Sequence, residues 1–265
     1  MTAIQHSEQR VLPDFAPATF APAPQPAPKA KIVAAQGAIE AKLMMRHGEQ
    51  QLLSVIIPLL ILITLRFAPF STTFGGLRAS MPMVLAVAAT SAGFTGQAIA
   101  LAFDRRYGAL KRAGASGVPT WAIIAGKIVA VCAMVAFQVT ILGIAAFLLG
   151  FRTSMSGLFL AALALVVGVC AFSALGLCLG GSLSSEIVLA VANLIWFVLL
   201  GTVGWVLYST GLGSNGWLNI VPSVALASGL AESFAGKFPT VPLAALLGWA
   251  VIASVAARTW FRFEG

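Results

Sequence analysis

One short segment of this chain has the spacing of a catalytic serine. Gly114-Ala115-Ser116-Gly117 matches the GxSG pattern of intramembrane serine hydrolases. A serine becomes a nucleophile only when a base, usually a histidine, lies within hydrogen-bonding reach. The two histidines, His6 and His47, both precede the first apolar run, so later apolar segments offer no such base. A turn before Pro119 explains the glycines, and we predict no nucleophilic catalysis.

Two glycine-lysine pairs and three cysteines are the other candidates for a nucleotide-binding or metal-binding site. Gly126-Lys127 and Gly236-Lys237 lack the upstream glycine and the following serine or threonine of a phosphate-binding loop. Cys132, Cys170 and Cys178 lie inside apolar runs without zinc-ligand spacing, which indicates small buried hydrophobes. The sequence therefore predicts no catalytic site, no metal site and no ATP hydrolysis in this chain.

The most informative charged segment is residues 104–112, which joins two long apolar runs. Four of its nine residues are cations, namely Arg105, Arg106, Lys111 and Arg112. Cytoplasmic loops of membrane proteins carry an excess of Lys and Arg, so this segment is predicted to lie at the cytoplasmic face. There it could receive force from a soluble partner. Alternatively, the cations set the topology and attract lipid headgroups, at about 1 kcal/mol each.

Composition indicates a polytopic membrane protein. Of the 265 residues, 59% are hydrophobic and only 9% are charged, and the mean hydropathy is +0.96. A soluble domain carries about 25% charged residues, so several apolar runs with so few charges are typical of membrane spans. The net charge of +8 does not indicate nucleic-acid binding, because most Lys and Arg residues flank apolar runs.

Six apolar runs are long enough to cross a bilayer, which predicts an all-α polytopic fold. The spans are predicted near residues 51–69, 81–103, 121–149, 156–180, 186–207 and 241–260. Residues 1–31 are polar and then rich in Pro and Ala, so they are predicted to form a disordered cytoplasmic tail. Residues 32–50 are too polar to span and are predicted to form an amphipathic helix in the membrane interface.

The distribution of cations predicts the orientation. Cations cluster before the first span, between the second and third spans, and after the sixth; the alternate loops hold only Arg66, Arg78, Arg152 and Lys237. Both termini and the 104–118 loop are therefore predicted to be cytoplasmic. Residues 208–240 then face outward and are too apolar for a free loop. They are predicted to form one or two short helices in the outer leaflet, with an ordinary surface loop as the alternative.

The apolar runs contain few polar side chains. No Asp, Glu or His lies in the middle of a span, which argues against an ion- or proton-coupled carrier. A path for an amphipathic substrate could be lined by Gln97, Asn193, Trp196 and Phe197. Interhelical hydrogen bonds and ordinary packing are the alternative for each of them, and also for Gln138.

Small residues in the spans predict close helix packing. Gly176 and Gly180 form a GxxxG motif, and Gly93 and Gly96 offer a similar surface. Such motifs let two helix backbones approach closely within a chain. A face for a second copy of the chain is the alternative use.

Several segments resemble the type-2 ABC exporter permeases. Met45-Arg46-His47-Gly48-Glu49-Gln50 resembles the elbow of that family, with His47 where an Asn is common. Residues 104–115 resemble its coupling region, with Ala109 where a Thr is frequent. Val221-Pro222-Ser223 resembles its short outer helices, and residues 260–264 resemble its ending. The resemblance covers residues 32–265, which would form one six-span transporter domain.

The resemblance implies a small drug- or antibiotic-exporter-like membrane subunit in the bacterial cytoplasmic membrane. It would pair with a second copy or a paralogue and with two ATP-binding subunits, which would bind ATP and Mg²⁺; no cofactor is expected in this chain. The elbow residues would be Arg46 and Glu49. The partner-coupling residues would be Asp104, Arg105, Arg106, Tyr107, Gly108, Leu110, Lys111 and Arg112.

Relatives of that family export drugs, antibiotics, lipids or polysaccharides. Two other functions stay open at this point. The first is a membrane subunit of a haem- or cytochrome-assembly ABC system, which has the same architecture. The second is a membrane scaffold that transports nothing.

Overall fold

The computed structural model describes residues 27–46, 48–67, 75–115, 117–213 and 215–260. The described residues contain helices and turns but no β-strand, which confirms the all-α fold class. Most of the predicted disordered tail, up to residue 26, lies outside the described residues.

The described residues form ten α-helices: α1 (Lys29–Arg46), α2 (Gly48–Phe67), α3 (Gly76–Thr90), α4 (Gln97–Arg106), α5 (Ala109–Ala115), α6 (Thr120–Leu148), α7 (Met155–Ser182), α8 (Ser185–Ser209), α9 (Pro222–Phe234) and α10 (Thr240–Trp260). A π-helical segment, Ser91–Gly96, joins α3 to α4. A short 3-10 helix, Gly216–Ile220, precedes α9.

Five helical segments of the described chain are long and apolar enough to cross a membrane. They are Gly76–Arg106, Thr120–Leu148, Met155–Ser182, Ser185–Ser209 and Thr240–Ala257, and they agree with predicted spans two to six. Predicted span one falls in α2, whose apolar part, Ser54–Phe67, is shorter and contains Pro58. That span stays a prediction.

Helix α1 packs chiefly against α6. The two helices approach closely because a glycine on each helix faces a side chain of the other. A Cβ atom on Gly126 would lie 2.5 Å from Cγ of Gln36, and one on Gly37 would lie 2.9 Å from Cγ1 of Val129. The opposite face of α1 exposes Ile39 and Leu43. Helix α1 is therefore attached to the bundle along one side and leaves apolar residues on the other.

The short helices predicted between spans five and six occur as the 3-10 helix and α9, and their placement at the outer face stays a prediction. Pro222 occupies the first turn of α9, where a missing N–H costs nothing. Val224, Leu226 and Leu230 are fully buried against the surrounding helices. The side chain of Leu226 fills the space left by Gly168 on α7. The backbone of this short helix is thus covered by protein, as membrane depth would require.

The GxxxG surface of α7 packs inside the chain. A Cβ on Gly176 would lie 2.5 Å from the carbonyl oxygen of Phe94 and 3.0 Å from that of Gly93. A Cβ on Gly180 would collide with the backbone of Ala98 in the same way. The predicted close packing is therefore confirmed, and this surface is occupied by the second span rather than by another copy.

Replacing Gly176 with Ala tests this backbone contact. The added methyl group would meet carbonyl oxygens that cannot rotate away, so Gly176→Ala should lower the stability of the protein by about 1–3 kcal/mol. The midpoint of thermal unfolding of the purified protein measures the effect. The matched control is Gly143→Ala on α6, where a Cβ would have nothing within 4 Å. Equal midpoints for the two variants would contradict the contact.

Candidate functional site

Residues 104–112 form the end of α4, a turn, and the start of α5. Gly108 has a φ of 67°, a left-handed conformation that glycine adopts without strain. Its N–H donates to the carbonyl of Arg105, and its own carbonyl accepts from the N–H of Arg112, both at 3.1 Å. The chain therefore leaves the second span at a fixed glycine turn and enters α5 directly.

The chain turns again after α5. The N–H of Gly117 donates to the carbonyl of Gly114 at 3.0 Å, and Gly117 has a φ of 81°. The glycines of the GxSG segment thus form a turn before α6, in agreement with the sequence interpretation.

Arg105 closes the end of α7. Its side chain is buried, and Nη1 donates to the carbonyl oxygens of Gly180 and Leu183, both at 2.9 Å. The last carbonyls of a helix have no partner within the helix, and a cation is favourable there because it opposes the helix dipole. Arg105 therefore fastens α4 to α7 within the chain.

Arg106 contacts the start of the next helix. It donates to Oγ of Ser185 at 3.1 Å and forms an ion pair with Glu186 in the first turn of α8. Both charged side chains are largely exposed, so the pair contributes little stability by itself. Arg105 and Arg106 together join the end of α4 to the α7–α8 turn.

Asp104 belongs to a buried ion cluster. Nζ of Lys127 on α6 lies 2.6 Å from Oδ2 of Asp104 and 2.9 Å from Oε2 of Glu40 on α1. The Lys127 side chain is 3% exposed. Nε2 of Gln36 donates to Oε1 of Glu40 at 3.2 Å. One lysine thus joins three helices that are distant in sequence.

Sequence reasoning missed the roles of Lys127 and Glu40. Lys127 entered only the count of cations and the test for a phosphate-binding loop, and Glu40 was one polar position of an amphipathic helix. A lone lysine inside an apolar run does indicate a buried carboxylate partner. The sequence pattern does not say which carboxylate, because Glu40 and Asp104 are equally placed at the same predicted membrane face.

The predicted partner-coupling residues fall into two groups. Asp104, Arg105 and Arg106 are held by contacts within the chain. Tyr107, Lys111 and Arg112 lie on the surface. Tyr107 is 65% exposed and stacks on Phe103 with ring centroids 6.0 Å apart. Gly108 and Leu110 are half-buried and belong to neither group. The contacts of these residues with a partner stay a prediction.

The predicted elbow residues are less well defined. Arg46 is exposed at the last residue of α1. Glu49 belongs to α2, but its side chain lies outside the part of the chain that the structure describes. The elbow role of both residues stays a prediction.

The four predicted substrate-path residues do not come together. Gln97 is buried at the α4–α7 contact, where its Cβ faces Gly176. The other three lie on α8. Asn193 donates to the carbonyl of Leu189 in its own helix at 2.7 Å. Trp196 and Phe197 pack edge to face with ring centroids 5.1 Å apart.

A narrow crevice lies beside Trp196. It is lined by apolar side chains and by the hydroxyls of two residues, and its walls come from α3, α8 and the start of α9: Ala86, Val87, Thr90, Trp196, Leu199, Leu200, Val203 and Ser223. The crevice thus lies where α3, the first part of the second span, meets the fifth span. Gln138, by contrast, makes an interhelical hydrogen bond from Nε2 to Oγ of Ser54 at 2.8 Å.

Comparison with known proteins identifies the family. The model of the ABC-2 type transporter family matches residues 37–234, which is well over half of the chain. The chain therefore belongs to the ABC-2 type transporter family, and the resemblance to type-2 ABC permeases is confirmed. Searches of curated proteins and of solved structures gave no significant match.

Membership in this family identifies the helical bundle as a transporter component. The chain is a multi-pass permease, the membrane component of an ABC transporter, and such components typically work with ATP-binding subunits. The family match runs from the middle of α1 to the end of α9, so it includes the Lys127 cluster and the 104–112 segment.

Arg105→Ala tests the closure of α7. The substitution would leave two helix-end carbonyls without their charged donor, which should cost about 2–3 kcal/mol of stability. The control is Arg112→Ala, because Arg112 is exposed and its guanidinium donates to the carbonyl of Tyr107 in the adjoining turn. Thermal unfolding should show a large fall in the midpoint for Arg105→Ala and little change for Arg112→Ala. A similar small effect for both would contradict the internal role of Arg105.

Proposed function

We propose that this permease is the membrane subunit of an ATP-driven exporter. It moves an amphipathic substrate, such as a drug, an antibiotic, a lipid or a glycolipid, across the cytoplasmic membrane. A separate ATP-binding subunit supplies the energy. The observation that carries the proposal is the 104–112 segment, which is fastened to several spans on one side and exposed on the other.

The contacts of the 104–112 segment within the chain could transmit a displacement to other helices. Arg105 and Arg106 bind the end of α4 to α7 and α8, and Asp104 binds it to Lys127 on α6. Coupling between distant sites requires a contiguous network of packed or hydrogen-bonded groups. A displacement of α5 would reach three further helices through these contacts.

The exposed side has the composition of a protein-binding surface. Tyr107 supplies an aromatic ring, and Lys111 and Arg112 supply positive charge. Aromatic residues and arginine are enriched at protein interfaces. A groove of an ATP-binding subunit with an acidic rim would fit this combination, and Mg²⁺ and ATP would bind in that subunit.

We place the path of the amphipathic substrate between α3 and α8, where the crevice in this arrangement has room for about one water molecule. Its walls are apolar, and the hydroxyls of Thr90 and Ser223 donate to the carbonyls of Ala86 and Leu199, so the helices must separate before a substrate enters. Sites that bind amphipathic small molecules combine apolar walls with a few polar groups. A second permease, either an identical copy or a paralogue, would cover the exposed faces of α8 and enclose the path.

These parts define a transport cycle. ATP binding closes the two ATP-binding subunits and displaces the 104–112 segments docked on them. Because α4 is fixed to α7 and α8, the second and fifth spans shift together at their cytoplasmic ends. The crevice between α3 and α8 then widens and opens toward the outside, and ATP hydrolysis resets the subunits.

Removal of the exposed side chains should abolish binding of the ATP-binding subunit. The triple variant Tyr107→Ala, Lys111→Ala, Arg112→Ala loses the aromatic ring and both charges. The measurement is co-purification in mild detergent from the native host, with ATPase activity assayed in the eluate. The intact chain should recover an ATPase and the triple variant should not. Lys237→Ala, an exposed cation at the predicted outer face, is the control and should retain the ATPase.

The absence of any ATPase with the intact chain, under several mild conditions, would contradict the proposal. A scaffold or a secondary carrier would then explain the fold better. Transport that stops when the proton gradient is collapsed, although ATP remains, would identify the carrier.

The orientation has its own test. Single cysteines at Tyr107 and at Trp217, placed in a variant without the three native cysteines, report opposite faces; both positions are highly exposed. A membrane-impermeant maleimide should label Trp217→Cys in intact cells and Tyr107→Cys only in inside-out vesicles. The reverse pattern would place the 104–112 segment outside and overturn the assignment of the partner.

A further inference from the structure

We propose that Lys127 is a positioning residue that makes α1 and the end of α4 move as one unit. The proposal rests on the function proposed above and names a second element, α1, that the 104–112 segment carries with it. Glu40 is the residue through which α1 is attached.

The geometry of the cluster shows the link. The Lys127 ammonium contacts one carboxylate oxygen of Asp104 at 2.6 Å and one of Glu40 at 2.9 Å. Charge-assisted hydrogen bonds of this length are among the strongest in proteins. Gln36 holds the other oxygen of Glu40 at 3.2 Å, so the carboxylate is fixed on both sides.

The number of charges in the cluster shows that Glu40 is not needed to neutralise Lys127. One carboxylate is sufficient to balance a buried ammonium, and Asp104 already supplies it. Glu40 brings a second negative charge, so the cluster carries one more acid than burial of Lys127 requires. What Glu40 adds is an attachment of α1 to an ion pair that already joins α4 and α6.

The position of Lys127 along α6 fits this role. The helix has 29 residues, so it is about 43 Å long, whereas the hydrocarbon core of a bilayer is about 30 Å thick. Lys127 follows Thr120 by two turns and therefore lies near the cytoplasmic boundary of the core. A lysine at that depth could reach the interface by snorkelling, but the Lys127 side chain is 3% exposed and therefore needs its carboxylates, so α1 is held at the level where the second span ends.

The packing of α1 does not by itself attach it to α4. Gly37 and Gly126 allow α1 and α6 to approach closely, and α6 is the chief packing partner of α1. Glu40 accepts two hydrogen bonds: the one from Gln36 lies within α1 and orients the carboxylate, and the one from Lys127 joins α1 to the ion pair. The register of α1 relative to Asp104, and hence to the 104–112 segment, thus depends on Glu40.

Distance measurements between spin labels test the proposal. In a variant without native cysteines, labels are placed at Ala38 on α1 and at Ala115 on α5, both exposed. A second pair joins Ala115 to Val251 on α10, which is also exposed. Spectra are recorded for the purified chain alone and for its complex with the co-purifying ATPase, without nucleotide and with Mg²⁺ and ATP.

The expected result is one narrow Ala38–Ala115 distance that nucleotide does not change, while the Ala115–Val251 distance shifts. Glu40→Ala should lose the narrow Ala38–Ala115 peak and give a broad distribution. Lys42→Ala, which removes an exposed charge two residues away on α1, should keep it. A role of Glu40 in folding alone would lower the unfolding midpoint and leave the peak of the folded protein unchanged.

Two results would overturn the proposal. One is a narrow peak in Glu40→Ala; if that variant does not fold, the same peak in Glu40→Met, which keeps the length of the side chain without an acceptor oxygen, decides instead. The other is a wild-type Ala38–Ala115 distance that shifts with nucleotide as much as the reference pair does. Failure of the proposed function differs from failure of this inference, because in the former no ATPase would co-purify. The width of the Ala38–Ala115 distance distribution, measured on the chain alone, would still test the attachment of α1 through Glu40.

Discussion

A few charged side chains at the ends of apolar helices hold this permease in one arrangement, and each must find its partner inside the chain. Arg105 satisfies the final carbonyls of α7, and Lys127 collects carboxylates from α1 and α4. Groups of this kind are costly to bury alone. Because their partners belong to different helices, each pairing also sets where one helix ends relative to another. The end of the bundle at which α4 ends is therefore held by charged contacts together with close glycine packing at Gly126 and Gly180.

The sequence was sufficient for spans two to six and for their approximate limits. Hydropathy locates a span because a helix in lipid must satisfy its own backbone, and the GxxxG motif of Gly176 and Gly180 indicated a close contact correctly. It did not indicate that the contact lies against Phe94 and Ala98. Partner choice depends on tertiary geometry, and many helices in the chain carry small residues.

The candidate site was predictable as a segment but not residue by residue. The cations of residues 104–112 are alike in sequence, yet Arg105 is buried and Arg112 is exposed. The difference arises because α4 continues as far as Arg106 before Gly108 turns the chain, so the last helical turn faces α7 and α8 while the next residues leave it. The pairing of Glu40 with Lys127 was not predicted because nothing in the sequence shows that α1 packs against α6.

The π-helical segment at Ser91–Gly96 divides the second span into two parts with different neighbours. Helix α3 packs mainly on α2 and α9, whereas α4 packs on α7 and α8. A π turn takes one more residue than an α turn, so the face of α4 is rotated by a fixed amount relative to the face of α3. Substitutions in α3 could therefore change its wall of the crevice without altering the contacts of α4, which ends at Arg106. The residues that line the crevice and the residues that hold the end of α4 can therefore change independently of each other.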